Sequence, residues 1–133
     1  MRVLLDTDVL IDVALKRDPF VASAAEVLNW TEDSPGQGAV AWHSLSNIAY
    51  LVRPDARPFL QNLLQFIEVA TVGTREAKQA LSFPMNDLED ALQAAAALAF
   101  DAHYIVTRNL NHYRNSPIPA LSPGQFLKEV GRQ

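Results

Sequence analysis

Two aspartates far apart in the chain are the residues best placed for chemistry. Asp6 closes the apolar run Met1-Arg2-Val3-Leu4-Leu5 and begins Asp6-Thr7-Asp8. Asp90 ends Asn86-Asp87-Leu88-Glu89-Asp90, four polar residues in five at the start of an alanine-rich stretch. Burying an unpaired carboxylate costs several kcal/mol, so acids at a strand's carboxyl end and at helix starts are not packing devices. In an open parallel sheet those positions face one crevice, where ligands bind. Carboxylates gathered there suit a hard divalent cation, Mg²⁺ or Mn²⁺.

Each acid also has an ordinary duty to be weighed. Asp6 suits the N-cap of a first helix, Asp8 suits that helix's first turn, and Asp12 reads as a solvated position. Asp87, Glu89 and Asp90 all lie in a helix's first turn, where negative charge gains about 0.3 to 1 kcal/mol from the macrodipole. Asn86 and Glu89 have the spacing of a capping box, which makes Glu89 structural. Asp87 fits either role. Asp90 stands three residues beyond Asp87 on the same face, too deep to cap, and is read as functional. Two strand-to-helix junctions, Asp6-Thr7-Asp8 and Thr107-Arg108-Asn109, are expected to share one sheet edge with the Asp90 helix.

The elements that must position these groups alternate between short apolar runs and helical stretches, which indicates an α/β domain with a parallel sheet. Strands are predicted over 3–5, 39–42, 67–72, 104–106 and 118–121. Val9, Leu10, Val13 and Ala14 recur at helical spacing, and a second helix from Pro19 carries Phe20, Ala24, Val27 and Leu28 on one stripe. Residues 34–38 are a loop by turn chemistry. Further helices are predicted from Ser44, over 58–66, over 74–81, over 86–100 and after Ser122-Pro123. No repeat, low-complexity tract or linker appears, so residues 1–133 read as a single domain.

Composition narrows the function classes. The 133 residues are 49% apolar and 20% charged, ordinary for a globular protein. Eleven basic against fifteen acidic residues give a net charge of −4, so any grip on nucleic acid must come from local patches or a bound metal. The absence of cysteine excludes disulfides and thiolate metal sites and fits a reducing cytoplasm. No run approaches the roughly 18 apolar residues that span a bilayer, and Asp6 interrupts what would otherwise resemble a secretion signal. A cytoplasmic protein is expected.

Three pieces of the chain, in order, carry a resemblance to a known family. They are Leu4-Leu5-Asp6-Thr7-Asp8-Val9-Leu10, Glu89-Asp90-Ala91 opening an alanine-rich helix, and Ile105-Val106-Thr107-Arg108-Asn109. Together they resemble the PIN domain, the nuclease fold of many VapC-like bacterial toxins of toxin–antitoxin pairs. The resemblance implies a three-layer α/β/α sandwich with a mostly parallel sheet of four or five strands. It also implies Mg²⁺- or Mn²⁺-dependent cleavage of RNA, an antitoxin partner and a homodimer. The family's first and third acids fall on Asp6 and Asp90. Its second falls on Asn47 and its fourth on Asn109, while Asp8 stands where Asn is common. Asp87 and Asp8 can restore the missing charge. On this resemblance Asp6, Asp90, Asn109, Asp87 and Asp8 form the metal and catalytic set. Asn47, Thr107 and Arg108 support it, with Arg108 able to contact a phosphate.

Other readings stand beside this one. The amides Asn47 and Asn109 also fit a PIN-like module that binds RNA or protein with weak or no catalysis. A phosphoacceptor receiver domain needs an Asp ending its third strand, where this chain has Gly73-Thr74. Tyr50, His112 and Tyr113 can stack on bases, although packing suits Tyr50 better. His43, His103 and His112 lack ligand spacing. The helices around Phe20, Val27 and Leu28 and around Leu45, Ile48, Tyr50 and Leu51 carry more apolar residues than one core face needs, which also favours a homodimer.

Overall fold

A computed structural model describes residues 1–132. The chain runs β1 (Val3–Leu5), α1 (Thr7–Ala14), α2 (Val21–Asp33), β2 (Gly38–Val40), α3 (Trp42–Leu51), α4 (Ala56–Leu63) and β3 (Glu68–Val69). It continues with α5 (Thr74–Ser82), α6 (Leu88–Ala99), β4 (Tyr104–Val106), a 3₁₀ turn (Leu110–Tyr113), β5 (Ala120–Leu121) and α7 (Pro123–Glu129). The five strands form one sheet in the order β3-β2-β1-β4-β5, and every pairing is parallel. Leu4 is central, opposite Ala39 on one side and Ile105 on the other.

Alternation along β1 builds the two helical layers. Val3 and Leu5 face a core with Val27, Leu28, Ile48 and Phe126, where Trp30 meets Phe126 edge-on at 5.0 Å. Leu4 points the other way, into a core with Ala94, Ala97 and Ile105. Alanines on α6 let that helix lie close on the sheet. The result is the α/β/α sandwich expected, with an entirely parallel sheet. Among the described residues, no helix is long and apolar enough to cross a membrane.

Strand order decides where the site lies. From β1 the chain winds outward through β2 to β3, then returns across β1 to form β4 and β5. The order therefore reverses between β1 and β4, and the carboxyl ends of those strands frame a crevice. Asp6 and Thr107 follow those two strands directly, and the Asp6 N–H continues their ladder to the Val106 carbonyl at 2.9 Å.

Several boundaries differ from the sequence expectation. The second strand stops at Val40, and Trp42 opens α3 with its ring exposed. The third covers Glu68–Val69 only, because an edge strand bonded on one side ends when the chain leaves its single partner. The fourth helix starts at Ala56 rather than Pro58, since a proline in a first turn forfeits no intrahelical hydrogen bond. Gly38 belongs to β2 rather than to the preceding loop. A Cβ there would meet Thr31 Cγ2 at 2.7 Å, so glycine is required where α2 ends against the strand.

Candidate active site

Asp6 does two things at once. Its Oδ1 accepts the Thr7 N–H at 2.7 Å, capping α1. Its Oδ2 accepts from the Thr107 hydroxyl at 2.8 Å and meets the Tyr113 hydroxyl at 3.1 Å. Asp90, on α6, has its backbone N–H capped by Asp87 Oδ1 at 3.2 Å, and its own Oδ1 lies 3.3 Å from the same Tyr113 hydroxyl. Two carboxylates far apart in the chain thus share one phenol. Asp8 joins them through Thr107, whose hydroxyl is 3.3 Å from Asp8 Oδ2.

Hydrogens are too few for these contacts. Each hydroxyl carries one proton, yet Tyr113 faces two carboxylates and Thr107 faces two. Burial holds the Asp6 carboxyl above the usual range despite its donors. Asp8 is pushed up to about 7, by burial first and then by the charge of Asp6. Asp90 is pushed up to about 6, by burial and then by Asp87 and Asp6. Burial and these acids raise the Tyr113 phenol, which keeps its proton. Asp8 Oδ1 and Asp90 Oδ2 are buried without a hydrogen bond; His112 Nδ1 approaches the latter at 3.2 Å without the geometry of one.

The loop after β4 is held from α1. Asp8 Oδ2 accepts from the Arg108 backbone N–H at 3.1 Å and from Asn109 Nδ2 at 3.1 Å. The Asn109 N–H turns back to Thr107 Oγ1 at 3.0 Å. Arg108 does not reach into the crevice. Its guanidinium pairs with Asp12 and stacks 4.0 Å from the centre of the Phe20 ring, so a phosphate-binding role is corrected to a structural one. Asp12, expected in solvent, is fully buried between Arg108 and Arg17. The sequence does not show this because the Arg108 partner lies far along the chain.

A second buried set lies behind the acids. Thr7 Oγ1 and Ser44 Oγ are 2.7 Å apart, and Gln93 Nε2 donates to them at 3.1 and 2.9 Å. These three residues lock the start of α1, α3 and α6 together, fixing where Asp6 and Asp90 stand relative to one another.

A family model described as PIN domain matches residues 2–111. The chain belongs to the PIN-domain family. No curated protein matches it. Among solved structures it is similar to VapBC2 from Rickettsia felis bound to a promoter DNA fragment, with a TM-score of 0.72 at 16% identity, covering 92% of this chain and 98% of that one. A toxin–antitoxin complex from Klebsiella pneumoniae gives 0.69 at 20% identity, with 91% and 97% covered. FitAcB from Neisseria gonorrhoeae gives 0.59 at 16%, with 92% and 98% covered. At these identities the likeness establishes the fold.

In this PIN domain, Asp6 and Asp90 meet through the Tyr113 hydroxyl, Asp8 joins Asp6 through Thr107, and Asn109 bonds to both Asp8 and Thr107. Asp87 is exposed and acts as the helix cap, so the Asn86–Glu89 capping box does not form. Glu89 instead accepts from Asn47 Nδ2 at 3.3 Å, which puts an acid beside the amide where the family carries one. His43 lies within the field of both Glu89 and Asp6, and burial nevertheless keeps its pKa lowered. Tyr50 is exposed and flanked by Arg53, 4.7 Å from its ring centre, so it is not a core residue. Tyr113 is buried at the centre of the site rather than free to stack on a base. Its place on a 3₁₀ turn has no periodic signal in the sequence.

The donor set fits a divalent cation. Among the described residues, no group of three or more His, Asp or Glu side chains is placed to hold a metal ion. Mg²⁺, however, keeps several waters and takes one or two carboxylates from the protein. Asp6 and Asp90 offer that pair. Their mutual repulsion and the unpartnered oxygen of Asp90 are what an added positive charge would relieve.

Proposed function

We propose that this PIN domain is a ribonuclease using Mg²⁺ or Mn²⁺, the toxin half of a toxin–antitoxin pair acting in the cytoplasm. One observation carries the reading: Asp6 and Asp90 converge on the Tyr113 hydroxyl with more carboxylate than the surrounding protons can satisfy. Asp6 and Asp90 would hold the cation, with Asp87 and Asn109 contributing through water. A bound divalent ion supplies phosphoryl polarisation and a water acidic enough to attack a phosphodiester in line. Asp8 and Thr107 act on the protein itself, fixing the β4 loop against α1 so that Asp6 keeps its orientation. Tyr113 keeps the two carboxyls close and supplies a neutral hydrogen bond between them.

Its solved neighbours are toxin–antitoxin complexes, which supports an antitoxin as partner. Trp42, Tyr50 and Leu51, exposed on α3, support a homodimer through that helix, whereas Val27, Leu28 and Ile48 are used up in the core. The test is Mn²⁺-stimulated cleavage of RNA. Asp6→Ala and Asp90→Ala are expected to lose it by at least about 100-fold, exceeding the effect of removing a supporting residue. Equal cleavage by the variants and the parent refutes the assignment.

A second reading has its own observation. The Asn109 amide is engaged with Asp8, and Asn47 brings no charge of its own, as suits a module that binds without cutting. Calorimetric titration separates the two: the nuclease binds Mn²⁺ saturably below millimolar, and the binding module does not.

A further inference from the structure

A cleft of about 350 Å³ opens between the start of α6 and the 3₁₀ turn, and Asp90 forms part of its wall. This is near the lower end of small-ligand pockets, with room for a nucleotide and not for a duplex. Its lining is chemically distinctive. Asn86 comes from the loop before α6, and Asn111 and Asn115 from the opposite side, each with an amide donor and acceptor. His112 follows Asn111 with its ring about half exposed and its Nδ1 3.2 Å from Asp90 Oδ2. Arg114 is the one cation in the lining.

Most other arginines of this acidic chain are engaged elsewhere. Arg17 and Arg108 pair with Asp12, and Arg132 pairs with Asp33. Arg2 and Arg53 lie over Phe100 and Tyr50. Arg114 has only a 3.5 Å contact to the neutral Asn111 side chain. With a net charge of −4 the protein attracts polyanions nowhere in bulk. An unpaired guanidinium in a cleft that also contains Asp90 is therefore where a phosphate can be held.

We propose that this cleft is the subsite for a nucleotide flanking the scissile phosphate of single-stranded RNA. Arg114 takes a backbone phosphate, His112 stacks on the base, and the amides of Asn86, Asn111 and Asn115 contact its edge. Amides pair with base edges in bidentate fashion, and those edges are open in unpaired strands but hidden in an RNA duplex. The end of the cleft at Asp87 and Asp90 is left to the cation and the scissile phosphate, so the flanking phosphate lies toward Arg114. The inference rests on the nuclease reading for its position relative to the scissile bond; the binding does not depend on catalysis.

The experiment uses fluorescently labelled single-stranded hexaribonucleotides of varied sequence, with binding read by anisotropy and cleavage by steady-state kinetics in Mn²⁺. Arg114→Ala is expected to weaken binding and raise KM about tenfold with kcat within twofold. It should also flatten the salt dependence of binding by about 0.7 in slope. Asn111→Ala with Asn115→Ala is expected to level the preference among sequences. Arg75→Ala, on α5, is the control. The subsite is overturned if Arg114→Ala matches the parent or the control, if the parent binds no RNA, or if a hairpin duplex binds more tightly than the single strands. It is also overturned if the double amide variant keeps the parent's sequence preference. Loss of all cleavage with the Arg114 binding effect intact would sink the nuclease reading and leave the subsite standing.

Discussion

Asp8 and Asp12 stand one turn apart on α1 and occupy opposite electrostatic settings. Asp12 is the more deeply buried, yet two guanidinium groups meet its two oxygens. Asp8 is held by a hydroxyl, a backbone N–H and an amide, none formally charged, and its second oxygen has no partner. The charge of Asp6 bears on it as well, and its pKa rises to about 7. Four residues along one helix therefore separate an acid neutralised by arginines from an acid left short of counter-charge beside Asp6. Burial alone does not distinguish them; the supply of counter-charge does.

The comparison breaks most decisively at Asp12. Asp12→Ala leaves Arg17 and Arg108 facing one another without their anion, a loss of roughly 3 kcal/mol. Scanning calorimetry should show Tm lower by on the order of 10 °C. Asp8→Asn, in chelator, should leave Tm unchanged or raise it, because it removes repulsion. Equal destabilisation by both would erase the distinction drawn between them.

Stability against pH sharpens the same contrast. Asp6, Asp8 and Asp90 have folded pKa values raised above the ordinary carboxylate value, so the folded state holds their protons more tightly than the unfolded chain does. Their contribution is fully present below about pH 4 and is lost as pH rises through about 6 to 7. The metal-free protein should lose several degrees of Tm between pH 4.5 and 7.5. Asp8→Asn should flatten the profile, and millimolar Mn²⁺ should restore Tm at the upper end by binding the folded state alone. A flat profile for the parent protein would contradict the proposed repulsion.

The smallest expected effect is at Tyr113. Tyr113→Phe keeps the packing of the ring and removes the hydroxyl shared by Asp6 and Asp90. Mn²⁺ affinity by calorimetry should fall about tenfold, within the range for residues that orient ligands. Tm should move by no more than about 3 °C, since the two carboxyls lose a neutral hydrogen bond but not a counter-ion. An unchanged Mn²⁺ affinity would remove Tyr113 from the site.

Much of this arrangement was legible before any fold was known, for reasons local to the chain. Asp6 interrupts a strand, Asp90 lies deep in a helix's first turn, and Thr107 follows an apolar run. Each is out of place as a packing residue within a window of a few positions. Asp12 and Arg108 were misread because their pairing spans most of the chain and no local pattern encodes it. Tyr113 was undecided because a 3₁₀ turn is too short to display periodicity. Gln93 was hidden in an alanine-rich face, where its amide reaches Thr7 and Ser44 only after α6 docks on the sheet.

The sequence by itself determined the alternation of strands and helices, and with it a parallel sheet whose carboxyl edge carries acids. Apolar periodicity and turn chemistry act over a few residues and survive without a partner. Only the tertiary structure decided which acids meet. The reversal of strand order between β1 and β4 brings residues 6 and 90 to the hydroxyl of Tyr113, and the same folding delivers Arg108 to Asp12. Charge neutralisation depends on distances through space, which chain separation does not set.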